Sequence, residues 1–121
     1  MFRDLDAGTY RAVYIVTGYT DLRFGIDGLA AVGQHKYELD PFDKDTLFLF
    51  CGRRADRIKG LLWEGDGILL LYKRRENGRL RWPRNESEAK VLSQKQFAWL
   101  MDGLNIVQKN YVKEAKATAS I

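Results

Sequence analysis

Arg53, Arg54 and Arg57 follow one apolar run of this 121-residue chain, and Lys73, Arg74, Arg75, Arg79, Arg81 and Arg84 follow another. Between Arg53 and Arg84 there are ten Lys and Arg against four Asp and Glu, a local net of +6. The rest of the chain holds ten against twelve, a net of −2, so the +4 of the whole comes from one block. Cations at that density suit a polyanion. Each phosphate they neutralise releases counterions, and arginine can also read guanine edges or a narrow groove. DNA is the partner class implied, with Arg53, Arg54, Arg57, Lys73, Arg74, Arg75 and Arg81 as the contacts. The alternative is a solvated hairpin whose arginines pair locally with Asp56 or Glu76.

Other chemistry has less behind it. Trp63 and Trp82 flank apolar runs with Tyr72 between them; they could stack on bases, but packing against a sheet explains them more simply. Trp99 falls off the buried stripe of its helix and is the candidate for a protein–protein contact. Asp21, Asp27, Asp40, Asp56 and Asp66 have no spacing that would converge on a metal ion, and Gly65-Asp66-Gly67 reads as a turn. His35 has no Cys or His neighbour, so ligand count argues against zinc. Cys51, the single cysteine, ends an apolar run and reads as a core residue in a reducing compartment. Gly25 and Gly28 do not make a phosphate loop. The residues therefore point to a protein that is not an enzyme and takes no cofactor.

The elements that must carry the basic block are legible in outline. The length sets one domain, over residues 1–108, with 1–10 as a flexible lead-in and 109–121 as a flexible Lys- and Ala-rich tail. Arg11 to Thr17 is β-branched and aromatic, a strand. Thr20 reads as a helix N-cap with Asp21 in the first turn, and Leu22, Ile26, Leu29, Ala30 and Gly33 keep one helical face. Gly25 and Gly28 weaken that helix unless close packing offsets them. Leu47–Cys51, Ile58–Trp63 and Ile68–Tyr72 alternate with turns at Glu64–Gly67 and Asn77-Gly78, predicting a β-meander of about four strands over residues 46–82, stopped by Pro83. Arg84 to Lys90 reads as a polar loop. Ser93 and Gln96 form a capping box before a stripe of Phe97, Leu100, Met101 and Leu104. The expected class is α+β: a mostly antiparallel sheet with two main helices packed on one side of it. No run approaches a membrane span and no signal peptide is evident, so a cytoplasmic, bacterial protein without a membrane partner is expected.

Several strings go beyond pattern. V-T-G-Y-T-D-L-R-F-G-I-D-G-L-A (Val16 to Ala30), L-D-P-F (Leu39 to Phe42), L-F-L-F-C-G-R-R-A-D-R-I-K (Leu47 to Lys59), L-W-E-G-D-G (Leu62 to Gly67), L-Y-K-R (Leu71 to Arg74), R-W-P (Arg81 to Pro83) and L-S-Q-K-Q-F-A-W-L-M-D-G-L (Leu92 to Leu104) fall in order. They resemble the small TnpB-type accessory proteins of the IS sixty-six family of bacterial insertion sequences, over about Val13 to Gln108. The chain departs from that pattern at Leu61-Leu62, where an aromatic is common, and in the spacer around Gln34 to Glu38. The resemblance implies a mobile-element protein needed for transposition beside a separate, larger transposase that performs strand transfer. It leaves the molecular act open. Two functions are expected from it: a non-catalytic accessory factor that binds DNA through the basic block, or a subunit that bridges or regulates the transposase through Trp99 without touching DNA.

Overall fold

The structure, a computed structural model, describes residues 10–84, 89–104 and 106. The expected tail at 109–121, and all of the expected lead-in except Tyr10, lie outside the described residues. In chain order the seven elements are β1 (Ala12–Val16), α1 (Ile26–Tyr37), β2 (Thr46–Cys51), β3 (Arg57–Trp63), β4 (Ile68–Arg74), β5 (Ala89–Val91) and α2 (Gln94–Met101). The strands form one sheet in the order β4-β3-β2-β1-β5. The class is α+β, and three of the four strand pairings are antiparallel.

The fourth pairing changes the architecture. β1 lies parallel to β2, with Ala12 opposite Thr46 and Ile15 opposite Leu49. Parallel neighbours need a crossover rather than a tight turn, and α1 supplies it. β2 is buried at every position, the continuous apolar pattern of a strand covered on both faces. Its side chains alternate. Leu47, Leu49 and Cys51 join Val13, Ile15, Ile58 and Leu71 under Phe97, Leu100 and Met101 of α2. Phe48 and Phe50 join Leu61 and Leu29 under α1. The two helices therefore cover opposite faces, not one side as the strand–helix order suggested.

Helix α1 begins later than Thr20. Gly25 is its N-cap, and Glu38, in the left-handed region at φ 55, ends it. Two sets of bonds draw residues 20–24 out of the helix: the Thr20 amide donates to the Cys51 carbonyl (2.8 Å), and Asp21 accepts from the Arg23 amide and guanidinium. Gly28 is a close-approach glycine, because a Cβ there would stand 2.9 Å from Phe24 Cβ. At α2 the capping box of Ser93 and Gln96 is present in both directions. Phe97, Leu100 and Met101 are buried, whereas Leu104 lies beyond the helix end and is exposed.

The meander has three strands, not four. The Glu64–Gly67 turn closes β3 onto β4, with the Glu64 amide donating to the Gly67 carbonyl (2.9 Å). After Asn77-Gly78 no strand among the described residues pairs with β4. Residues 79–84 instead cross the sheet's end: Leu80 donates to the Ala55 carbonyl (2.6 Å), and Pro83 accepts from the Gly18 amide (2.8 Å). Trp82, buried, donates its indole N–H to the Val16 carbonyl (2.9 Å). Burying Leu80 and Trp82 in the core wins over extending the hairpin. Of the expected polar loop at 84–90, residues 85–88 lie outside the described residues, and its last two, Ala89 and Lys90, are corrected to strand, since Ala89–Val91 pairs with the outer edge of β1.

Candidate nucleic-acid interface

Parallel strands send their following loops to the same end of a sheet, the end where open α/β sheets bind ligands. Here the loop after β1 (Thr17–Gly25) meets the turn after β2 (Gly52–Asp56), and the Thr20–Cys51 backbone bond joins them. The second turn is tight. Ala55 donates to the Gly52 carbonyl (3.0 Å) and Gly52 to the Arg57 carbonyl (3.1 Å). Ala55, at φ 58, turns inward and is buried, which leaves Arg53 and Arg54 fully outward. Between the two loops lies an open groove of about 930 Å³, lined by Tyr19, Arg23, Arg53, Arg54, Arg57, Lys59 and Tyr72 among others.

The strand register adds to this face. Arg57 stands opposite Arg74, and Lys59 opposite Tyr72. All four are an even number of residues from Leu61 or Leu70, which pack under α1, so they share the α1 side of the sheet. Their charges are not equally available. Lys59 Nζ donates to the carbonyls of Leu22 (2.6 Å) and Phe24 (3.1 Å), and lies 5.5 Å from the Tyr72 ring centre. Arg23 is forked onto Asp21, holding that carboxyl down to about 2. Arg74 pairs with Glu76 at 2.9 Å. Arg57 Nε and Asp56 Oδ1 are buried 3.9 Å apart, beyond hydrogen-bond length, and neither atom has another partner among the described residues. Arg53 and Arg54 have no acidic group within ion-pairing distance among the described residues. Two aromatics frame the groove. Tyr72 is 55% exposed, and Tyr19 accepts a hydrogen bond from Arg84 Nε (3.0 Å).

The profile of the family described as IS66 Orf2 like protein matches residues 11–111, which takes in both loops, the whole sheet and α2. The chain belongs to the IS66 Orf2-like family. Two relatives from Sinorhizobium fredii (strain NBRC 101917 / NGR234) are similar to it. The uncharacterized protein y4hO is 37% identical over 101 residues, covering 84% of this chain and 87% of its own. The uncharacterized protein y4jC is 31% identical over 93 residues, covering 77% and 79%. No solved structure matches the chain. Membership makes it an insertion-sequence accessory protein.

In this IS66 Orf2-like chain the seven candidate DNA contacts do not form one surface. Arg53, Arg54 and Arg57 line the groove and Arg74 adjoins it. Lys73 and Arg75 lie toward the α2 side, in a separate pocket of about 390 Å³ with Ile58, Leu80 and Met101, and Arg74 also lines that pocket rather than the groove. There Arg75 Nε donates to the Asn77 carbonyl (2.8 Å), and its guanidinium packs against Gly103. Arg81 is exposed on the segment that crosses the sheet's end, outside the groove lining. Trp82 is core, and Trp63 packs edge-on against Phe42, ring centres 5.2 Å apart. Trp99 is half-buried and held by contacts within the chain. Sequence reasoning missed Tyr19, Arg23 and Lys59. The signal for Lys59 was available: the alternation of β3 puts Arg57 and Lys59 on one face. The placement of Tyr19 needed knowledge that β1 and β2 are parallel neighbours.

Asp66 sits in its turn, His35 is exposed on α1, and no group of three or more His, Cys, Asp or Glu among the described residues is placed to hold a metal. No helix among the described residues is long and apolar enough to cross a membrane. Cys51 is fully buried, and burial, with the Asp56 carboxylate adding, pushes its thiol up from about 9 to about 12. Folded protein at pH 8 should therefore react with a thiol reagent only as fast as it opens, whereas denaturant should release one equivalent at once. Between pH 9 and 12 the unfolded chain gives up the thiol proton that the folded chain keeps. Stability should fall with rising pH across that window.

Proposed function

We propose that this protein is a non-catalytic accessory factor required for transposition, and that it binds DNA along the groove between the β1 and β2 loops. One observation carries the reading: the parallel pairing of β1 and β2 brings the loop that carries Tyr19 and Arg23 against the turn that carries Arg53, Arg54 and Arg57 at one end of the sheet, with Lys59, Tyr72 and Arg74 beside them on the α1 face. Arg53 and Arg54 supply the least compensated charge and meet phosphates directly. The Arg57 side chain, 43% exposed, lines the groove and is not hydrogen-bonded to Asp56, so its guanidinium can meet an anion there. Tyr19 and Tyr72 offer ring faces to an exposed base or sugar. The bound DNA would be an end of the element, presented to the separate transposase.

The test is fluorescence anisotropy with two labelled duplexes, one carrying the element's terminal repeat and one a scrambled repeat. Three phosphate contacts, at Arg53, Arg54 and Arg57, predict an affinity that falls about 40-fold between 50 and 200 mM salt. A preference for the repeat that persists at the higher salt makes the protein an end-binding factor. Absence of binding even at low salt would overturn the DNA reading. Capture of the transposase that survives nuclease treatment would then favour the bridging role through Trp99.

A further inference from the structure

β4 is an edge strand, and little in its make-up protects it. It runs seven residues in unbroken one-to-one register with β3, with no bulge and no proline, and it opens Ile-Leu-Leu-Leu. Among the described residues its only sheet neighbour is β3. Among the described residues, no loop backbone bonds to Ile68–Arg74. Long, flat, apolar edges are templates for pairing unless something covers them.

The charges at its two ends say what would. Glu64 and Asp66 lie in the turn before β4, and Lys73, Arg74 and Arg75 stand at its far end. Antiparallel pairing of two identical strands brings unlike ends together. Same-face residues must oppose one another, and a two-fold axis at Leu70 satisfies this. It sets Ile68 against Tyr72 and Leu70 against Leu70 on the α1 side, Leu69 against Leu71 on the α2 side, and Asp66 against Arg74. Leu69 and Tyr72, 37% and 55% exposed, both gain apolar neighbours. We propose that two copies of this chain pair β4 to β4 in that register, merging two five-stranded sheets into one continuous sheet. A two-fold axis through the sheet leaves both α1 faces on the same side. On the DNA-binding reading above, the two Arg74 positions then stand eight strand residues apart, about 27 Å, comparable with one turn of DNA, ~34 Å.

Sedimentation velocity without DNA tests the pairing independently of the anisotropy titration. The wild-type chain should sediment as twice its 14.0 kDa mass. Asp66→Lys should give the monomer at the same concentration. Asp66→Lys combined with Arg74→Asp should restore the dimer. Leu69→Lys, at an exposed edge position, should give the monomer by a separate route. A wild-type monomer at every concentration overturns the proposal, and so does a dimer that survives both Asp66→Lys and Leu69→Lys.

Discussion

Replacing Arg53, Arg54 and Arg57 together with alanine should flatten the salt dependence of DNA binding by about 2–3 in the slope of log affinity against log salt. Each phosphate contact contributes a slope of roughly 0.9, so at ~0.1 M salt each is worth nearly one decade, and losing three costs about 10²–10³-fold in affinity. Arg53 and Arg54 are exposed, and Arg57 opens β3 beside Asp56 at 3.9 Å without a hydrogen bond. Loss of Arg53 and Arg54 should cost the fold little, since neither is ion-paired among the described residues, whereas loss of Arg57 leaves the buried Asp56 Oδ1 without its nearest cation and should cost about 1–3 kcal/mol. Lys73→Ala is the matched control. Lys73 lies in the same block of sequence but on the α2 side of the sheet, so its removal should leave the slope nearly unchanged. Anisotropy titrations at several salt concentrations decide between the two. Equal effects from the triple variant and from Lys73→Ala would mean that the groove is not the contact.

Trp82→Ala should be among the most destabilising single changes in the chain, by about 3–5 kcal/mol. The side chain is 4% exposed among Val13, Leu47 and Phe97 of the α2-side core, and its indole N–H is bonded to Val16 at the end of β1. A domain of this size has roughly 5–15 kcal/mol in total, so the variant gives up a large share. Trp82→Phe separates the two causes. It keeps most of the apolar volume and loses only the donor, for about 1–3 kcal/mol. Urea unfolding of both variants reads the difference. The local consequence is functional, since residues 80–83 tie the Ala55 carbonyl and the Gly18 amide into one edge. Trp82→Ala should therefore weaken DNA binding even where the chain remains folded, although Trp82 lines no part of the groove.

Much of this was legible in the residues. The turn at Glu64–Gly67, the strands on either side of it and the capping box of Ser93 with Gln96 are local signals, each complete within a few residues. The α1 stripe of Ile26, Leu29, Ala30 and Gly33 was also readable, but its start was not. Thr20 has the chemistry of a cap, and only the Cys51 carbonyl, thirty-one positions away, takes its amide out of the helix. Asn77-Gly78 turns the chain with Gly78 at φ 75. The path of the chain beyond Gly78 is decided by where Trp82 can be buried, not by the turn.

The seven candidate contacts show the same division. By itself the sequence determined that positive charge concentrates between Arg53 and Arg84, that this charge rides on a small sheet, and that the chain belongs with insertion-sequence accessory proteins. Only the tertiary structure decided which cations act together. Strand alternation divides Arg57 and Arg74 from Lys73 and Arg75, and the parallel pairing of β1 with β2 brings Tyr19 and Arg23 to Arg53 and Arg54. The physical reason is range. Periodicity, caps and turn residues act over one or two turns of chain, whereas strand neighbours and sheet faces are chosen by which distant apolar side chains can be buried together.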